Sequence, residues 1–354
     1  MPTNPTGLPH SPERVALIKP SALGDVINAL PVLTGLRQLF PKAHIVWVVH
    51  TAYADVLDKH PHLDQIIRFD RGSAKRGMRA GWHALRQLHH KLLTERFDLA
   101  IDLQGLFRSG LMTWWTGAKV RIGLAEAREG ASFFYTHTLP KLPGINHAVD
   151  RYWRVIEALG GGGLSKQFIV PRLPEAERWA YGQLLRWPRP WTMINLGTRW
   201  ETKRWPVAHF VEIASALRDR HGGSLILVGG PGEERFGAEF RSQYTTGVLD
   251  LTGRTSLPQL ASILARADLL LTNDSGPMHL ASALGRPVVA PFTCTDPRKN
   301  GPYGQLANTA CTNVICAASY LKKCSHLSCM SELTPERIRP LADTILASWR
   351  KQSA

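Results

Sequence analysis

The stretch Asp268-Leu269-Leu270-Leu271-Thr272-Asn273-Asp274-Ser275-Gly276 leaves little freedom in what it can build. An apolar run that reads as a strand enters a polar turn, and Met278, Leu280, Ala281 and Leu284 then recur at helical spacing. Strand, turn and helix in that order aim several unpaired backbone N–H groups and the positive end of a helix dipole at one point. Gly276 lets a ligand come close to the backbone there. The turn suits an anion, a phosphate above all. The commoner local alternative is an ordinary helix N-cap by Asp274 or Ser275.

The same alternation runs through the rest of the chain. Residues 1–13 read as a disordered leader, and strands are predicted at 15–18, 44–49, 98–103 and 120–122, with helical periodicity between them, as at 82–93. From Val26 the positions Val26, Leu30, Leu33, Leu36 and Phe40 are helical in spacing; Pro31 either kinks that helix or marks the first turn of its regular part. The glycine run Leu159-Gly160-Gly161-Gly162-Gly163-Leu164 and the prolines at 171, 174, 188 and 190 interrupt the pattern. An interdomain region at 176–190 then separates a domain at 14–175 from a second at 191–335, followed by a C-terminal helix at 336–354. The second series has strands at 192–196, 224–228, 269–271 and 288–291 and helices at 206–220, 256–267 and 334–349. Strands alternating with helices predict parallel sheets covered on both faces, hence two doubly wound α/β halves. Ligands of such sheets bind at the carboxyl ends of strands, so the loops that follow strands are the places to look for chemistry.

The 354 residues are 44% hydrophobic and long enough for two domains of ordinary size. No apolar run approaches the roughly 18 residues of a membrane span, and the first residues lack the apolar core of a signal peptide. A cytosolic location is expected, in keeping with five cysteines, of which Cys294 stands apart. A net charge of +15 points to an acidic partner.

Three loops after strands carry candidate residues. In Ser21-Ala22-Leu23-Gly24-Asp25 a carboxylate near a helix N-terminus could act as a general base, although the dipole weakens it; a helix cap is the alternative. Asn195-Leu196-Gly197-Thr198-Arg199-Trp200-Glu201-Thr202-Lys203-Arg204 offers a hydroxyl and cations that could neutralise a departing diphosphate, or is a solvated basic loop. In Gly229-Gly230-Pro231-Gly232-Glu233-Glu234 a carboxylate could accept hydrogen bonds from ribose hydroxyls. Singly each signal is weak, and neither a Walker A sequence nor G-x-G-x-x-G is present.

Taken together and in order, these elements resemble the heptosyltransferases of bacterial lipopolysaccharide core synthesis. The resemblance runs from Leu17 to about Gly304. It rests on Lys19 to Asp25 with Leu30-Pro31, Ile101-Asp102-Leu103-Gln104-Gly105-Leu106 with Arg108-Ser109, Ala127-Arg128-Glu129 with Ser132-Phe133-Phe134-Tyr135, Lys203-Arg204-Trp205-Pro206, and Asp274-Ser275-Gly276 with His279. The Ala-Arg-Glu and Ser-x-Phe-Tyr elements look most similar to the enzymes that add the first heptose to the Kdo of lipid A. The resemblance implies a GT-B fold, with two Rossmann-like doubly wound α/β domains facing each other across a cleft. It implies inverting transfer from ADP-heptose, without a metal ion or other cofactor, to a sugar hydroxyl of an anionic, lipid-linked Kdo acceptor. By position Asp25 matches the catalytic base. Thr198 and Lys203 match residues at the donor phosphates, Glu233 the ribose contact, and Asp274, Ser275, Gly276 and His279 the phosphate turn. Arg108 and Arg128 fall in the acceptor half. Ser275 stands where some relatives carry Thr, which keeps the hydroxyl.

Cys311, Cys316, Cys324 and Cys329 lie within nineteen residues, at the wide limit for zinc ligands; reduced structural thiols are the favoured reading, and His326 reads as a surface residue. Basic charge concentrates at Arg68, Arg71, Lys75, Arg76, Arg79, Arg86, Lys91 and Arg96, against Asp70 and Glu95. A solvated helix face is the plain explanation. One-signed charge beside Gly72 and Gly77 also suits an arm that meets acceptor phosphates or the anionic inner leaflet, with Arg71, Lys75 and Arg76 as acceptor residues. Trp114 and Trp115, placed after a predicted helix, could share that interface or pack in the core. The expected protein is a monomer, peripheral on the inner face of the inner membrane. Its rivals are a nucleotide-sugar epimerase of the same architecture and a basic nucleic-acid-binding protein, although no nucleic-acid motif appears.

Overall fold

The computed structural model describes residues 11–70, 72, 77–144 and 146–353. The chain divides into two compact units, Met1–Pro171 and Arg172–Ala354. In the first, strands β1 (Arg14–Ile18), β2 (His44–His50), β3 (Gln65–Phe69), β4 (Leu99–Asp102), β5 (Val120–Leu124) and β6 (His137–Leu139) form one sheet in the order β3-β2-β1-β4-β5-β6. In the second, β7 (Trp191–Asn195), β8 (Ser224–Val228), β9 (Val248–Asp250), β10 (Leu269–Thr272), β11 (Val288–Phe292) and β12 (Thr309–Cys311) take the order β12-β11-β10-β7-β8-β9. Every pairing is parallel. Both units are therefore Rossmann-like, each built out from its first strand in one direction and then in the other.

The four strands without a clear signal in the sequence, β3, β6, β9 and β12, are the edges of the two sheets. A central strand such as β1, fully buried from Val15 to Ile18, must be apolar on both faces. An edge strand is half-covered; β9 and β12 are intermediate in burial throughout, so neither a continuous apolar run nor strict alternation marks them.

Pro31 lies in the first turn of a separate helix, Leu30–Leu39, which follows Leu23–Asn28 after Ala29. A proline there gives up an N–H that has no helical partner anyway. Trp114 and Trp115 do not follow a helix; they are the last residues of Phe107–Trp115. The segment 176–190 includes most of a helix, Pro174–Leu184, which packs on Leu257–Leu264 inside the second unit. The final helix, Pro335–Ser353, packs on Val207–His221 and adds Ile338, Ala342 and Leu346 to that unit's core. Among the described residues no helix is long and apolar enough to cross a membrane.

Candidate functional site

The loops that carry Asp25 and follow Asp102 in the first unit, and that carry Lys203 and Asp274 in the second, leave the carboxyl ends of the two strands where the sheet order reverses, and the loop of Glu233 leaves β8, beside β7. In the first unit the two strands are β1 and β4, paired through Ile18 and Asp102. Asp25 occupies the first turn of the helix Leu23–Asn28. Its Oδ2 accepts the Ala22 N–H at 3.1 Å and its Oδ1 accepts the Tyr152 hydroxyl at 3.1 Å, with the Lys19 ammonium 3.7 Å from Oδ1. Its side chain is 41% exposed, so it is held and still reachable. Lys19 is 2% exposed, donates to the Leu103 carbonyl at 3.1 Å and lies over the Tyr152 ring at 4.7 Å. Burial lowers its pKa, while the charges of Asp25 and Asp102 oppose that.

Asp102 ends β4 and is buried. It accepts the N–H groups of Gln104 and Gly105 at 2.7 and 3.1 Å and the Tyr135 hydroxyl at 2.7 Å. Burial raises its pKa against those bonds. Tyr135 reaches it across Gly123, where any side chain would overlap the ring. Gln104 in turn accepts the Ser21 N–H at 3.2 Å, so the loop after β4 braces the loop that carries Asp25. Arg108 and Arg128 are both exposed, and the Arg128 N–H bonds the Gly105 carbonyl at 2.8 Å, tying their two loops together. Arg71, Lys75 and Arg76 lie outside the described residues.

In the second unit the strands are β7 and β10, paired through Asn195 and Thr272, with Asn195 also opposite Val228 of β8. Asn195 bonds outward in three directions. Its Oδ1 accepts from Ser275 Oγ at 2.8 Å and Thr272 Oγ1 at 3.2 Å, and its Nδ2 donates to the Val228 carbonyl at 3.1 Å. Asn273 adds Nδ2 to the Leu196 carbonyl at 2.7 Å and accepts the Trp205 N–H at 3.0 Å. These buried amides lock the loops after three strands into one body.

The turn that opened the sequence is not capped in the ordinary way. Ser275 is the N-cap residue of Gly276–Ala283, but no side chain caps that helix, because the Ser275 hydroxyl is turned to Asn195. The Asp274 carboxylate is occupied too, by Lys203 Nζ at 2.7 Å and Thr295 Oγ1 at 2.6 Å. A carboxylate in a phosphate turn would repel its ligand; here it holds a cation in place. Lys203 also lies 4.5 Å over the Trp200 ring, and Thr198 Oγ1 donates to the Asp274 carbonyl at 3.1 Å. His279 is buried in the first turn of the same helix. Glu233 accepts the Gly230 N–H at 2.8 Å, and its carboxylate packs where a side chain on Gly197 would have to be. Burial raises the Glu233 pKa, partly offset by that hydrogen bond and by Arg204. Arg204 donates to the Thr198 carbonyl at 3.1 Å and stacks on Phe236. The structure thus brings Thr198, Lys203, Asp274, Ser275, Gly276 and His279 to one strand end, with Glu233 beside Gly197.

Glycosyltransferase family 9 (heptosyltransferase) matches residues 85–330, more than half of the chain. The chain belongs to glycosyltransferase family 9. Lipopolysaccharide heptosyltransferase 1 of Pseudomonas aeruginosa is 29% identical over 94% of this chain and 98% of its own length. Two solved structures are similar over nearly all of both chains. A family 9 glycosyl transferase from Veillonella parvula has a TM-score of 0.79 at 25% identity, covering 95% of this chain and 97% of that one. E. coli heptosyltransferase WaaC with ADP has 0.72 at 26%, covering 94% and 99%. The fold is of the GT-B class and the chain is a glycosyltransferase, which sets aside the epimerase and the nucleic-acid-binding protein.

Sequence reasoning gave no role to Lys19, Tyr152, Asp102 or Tyr135 around the base, nor to Asn195, Asn273 or Thr295 around the turn, and it did not foresee that Arg204, one of the loop cations, stacks on Phe236 and bonds the Thr198 carbonyl. For Asn195 and Asn273 a signal existed: a buried asparagine at the end of an apolar strand, or just past it, needs partners for both ends of its amide. Tyr152 had none, being 127 residues from Asp25. Among the described residues no three His, Cys, Asp or Glu side chains are grouped so as to hold a metal, and none of the five cysteines is in a disulfide.

Proposed function

We propose that this family 9 enzyme transfers a heptose from ADP-heptose, with inversion, to the Kdo–heptose inner core of lipopolysaccharide, in the manner of the heptosyltransferase 1 it resembles. Asp25 takes the proton of the acceptor hydroxyl, whose oxygen forms a bond to the anomeric carbon as the bond from that carbon to the ADP oxygen breaks. Lys203 and the N–H groups of the turn at Ser275 and Gly276 stabilise the departing diphosphate, with Thr198 and His279 beside them. Arg108, Arg128 and the arm of Arg71, Lys75 and Arg76 meet the anionic acceptor. The enzyme acts as a monomer, peripheral on the cytoplasmic face of the inner membrane. The observation that carries this reading is the helix N-terminus left without a side-chain cap beside a cation clamped by Asp274. Release of ADP from ADP-heptose, stimulated by Kdo–lipid A and by no other acceptor in a panel, is the result expected; release without acceptor dependence would overturn it.

We propose that the reaction needs no metal ion, since protein cations and backbone N–H groups stand at the diphosphate. Turnover in excess chelator should equal that in buffer. Activity that collapsed in chelator and returned with magnesium or manganese would refute this.

Glu233 serves the donor ribose, and its carboxylate must be ionised to accept two hydroxyl hydrogen bonds. Because burial raises its pKa above the usual 4.5, ADP-heptose affinity should fall as pH drops through a value above the ordinary glutamate range. Between those two values the folded protein binds more protons than the unfolded chain, so Glu233 also makes stability decline as pH rises through that window. Glu233→Gln should bind donor more weakly at neutral pH and lose the acid limb. An unchanged limb in the variant would assign it to another group.

A further inference from the structure

The helix Met78–Thr94 shows one face to the core, with Leu88 and Leu92 buried. Next to that face lies an apolar sector that the unit leaves in solvent. Met78 is 92% exposed, Trp82 66% and Leu85 48%, at i, i+4 and i+7, and Leu93 continues the sector at 52%. On a helical wheel Arg79 and Arg86 border this sector, and the Arg86 guanidinium lies 5.8 Å from the Trp82 ring. From Gly77 to Thr94 the chain has no Asp or Glu. The neighbouring helix, Phe107–Trp115, is joined to it through Trp115 against His89, 5.2 Å between rings, and exposes Phe107 at 51% and Trp114 at 55%.

Large side chains exposed together usually mark a surface that something covers. Charge decides what covers it here. A second protein surface would need carboxylates to match the arginines, whereas a helix with tryptophan and leucine on one side and arginine beside it matches the boundary between anionic headgroups and acyl chains. We infer that the outer face of Met78–Thr94, with Phe107 and Trp114 beside it, is a membrane-docking surface that seats this unit on an anionic bilayer. This rests on the reading of a lipid-linked acceptor, and it goes further in naming the face. The basic arm meets acceptor phosphates, whereas Met78, Trp82 and Leu85 enter the lipid. A cavity of about 700 Å³ on the inner side of the same helix shares Leu85 with this face and is lined also by Arg68, Lys91, Arg108 and Met112. The docked face and the proposed acceptor arginine Arg108 thus belong to one region.

The binding test uses the full chain and vesicles without donor or acceptor, and turnover is measured in a separate assay. Wild type should cosediment with phosphatidylethanolamine vesicles containing phosphatidylglycerol and far less with phosphatidylcholine. Trp82→Ser with Leu85→Ser should lower the partition coefficient by roughly tenfold or more, from the apolar area withheld from lipid. Arg79→Gln with Arg86→Gln should lower it by roughly 30-fold, the conversion of about 1 kcal/mol for each charge at an anionic surface. ADP affinity and turnover on a deacylated, soluble acceptor should stay at wild-type values in both, which shows the variants folded and keeps this question separate from the reaction itself. Wild type that ignored anionic vesicles, or variants that bound them equally well, would overturn the proposal. So would a wild-type dimer that Trp82→Ser with Leu85→Ser dissociated without any change in vesicle binding, since a second copy would then be what covers the face.

Discussion

Asp25→Asn is expected to lower turnover by roughly 10²–10⁴ while ADP affinity stays near wild type, because the amide keeps the shape of the carboxylate and cannot take a proton. The structure adds a consequence that separates this variant from simple misfolding. Oδ1 of Asp25 accepts the Tyr152 hydroxyl and faces the buried Lys19 ammonium, and the charge of Asp25 is one of the forces that hold the Lys19 pKa up against burial. Removing it should let that pKa fall further. A lysine whose folded pKa lies below its unfolded value costs stability where the unfolded chain is charged and the folded one resists charging, so stability rises with pH across that window. The melting temperature of Asp25→Asn should therefore climb more steeply towards alkaline pH than that of wild type. Near-normal turnover would remove Asp25 from the chemistry; a loss of turnover with equal pH slopes in melting would show that Asp25 does not support Lys19.

Lys203→Ala is expected to cost more than the loss of one cation. Asp274 is only 5% exposed and its carboxylate is shared between Lys203 and Thr295. With the ammonium gone, an uncompensated carboxylate remains at the turn proposed to hold the donor diphosphate. Truncating one partner of such a pair typically costs 2–5 kcal/mol, much of it the penalty on the charge left behind. A fall in kcat/KM for ADP-heptose of roughly 10²–10³ follows. Adding Asp274→Asn to Lys203→Ala should then recover part of the loss, since the neutral amide no longer repels the diphosphate, while the missing cation keeps the double variant below wild type. Steady-state kinetics on the two single variants and the double variant decides the point. A double variant no better than Lys203→Ala would show that Asp274 does something other than hold the lysine, and full recovery would show that Lys203 never touched the donor.

Periodicity and turn chemistry are local, and what they carry was legible in the sequence. The central strands β1, β2, β4, β7, β8, β10 and β11 are largely apolar because they are buried on both faces, and the loops after them stood out because polar, glycine-bearing turns follow apolar runs. The loops that carry Asp25, Lys203 and Asp274 could be singled out on that basis, and the order of their motifs along the chain pointed to the family that the comparison with family 9 shows. The four edge strands were not legible, since half-covered strands need no distinctive pattern.

The environment of each group was decided only by the tertiary structure. Strand order places the loops after β1 and β4, and after β7 and β10, side by side, and a sequence does not state which strands will be neighbours. The partner that orients Asp25 is a tyrosine from a helix more than a hundred residues away, and Asp102 meets Tyr135 across the space left by Gly123. Asp274, which in the sequence reads as a cap or a phosphate ligand, is in the folded chain the anchor of a cation, because Lys203 and Thr295 reach it first. Side-chain hydrogen bonds and ion pairs between distant segments leave no periodic trace; they exist only once the backbone has brought the groups within about 3 Å of each other.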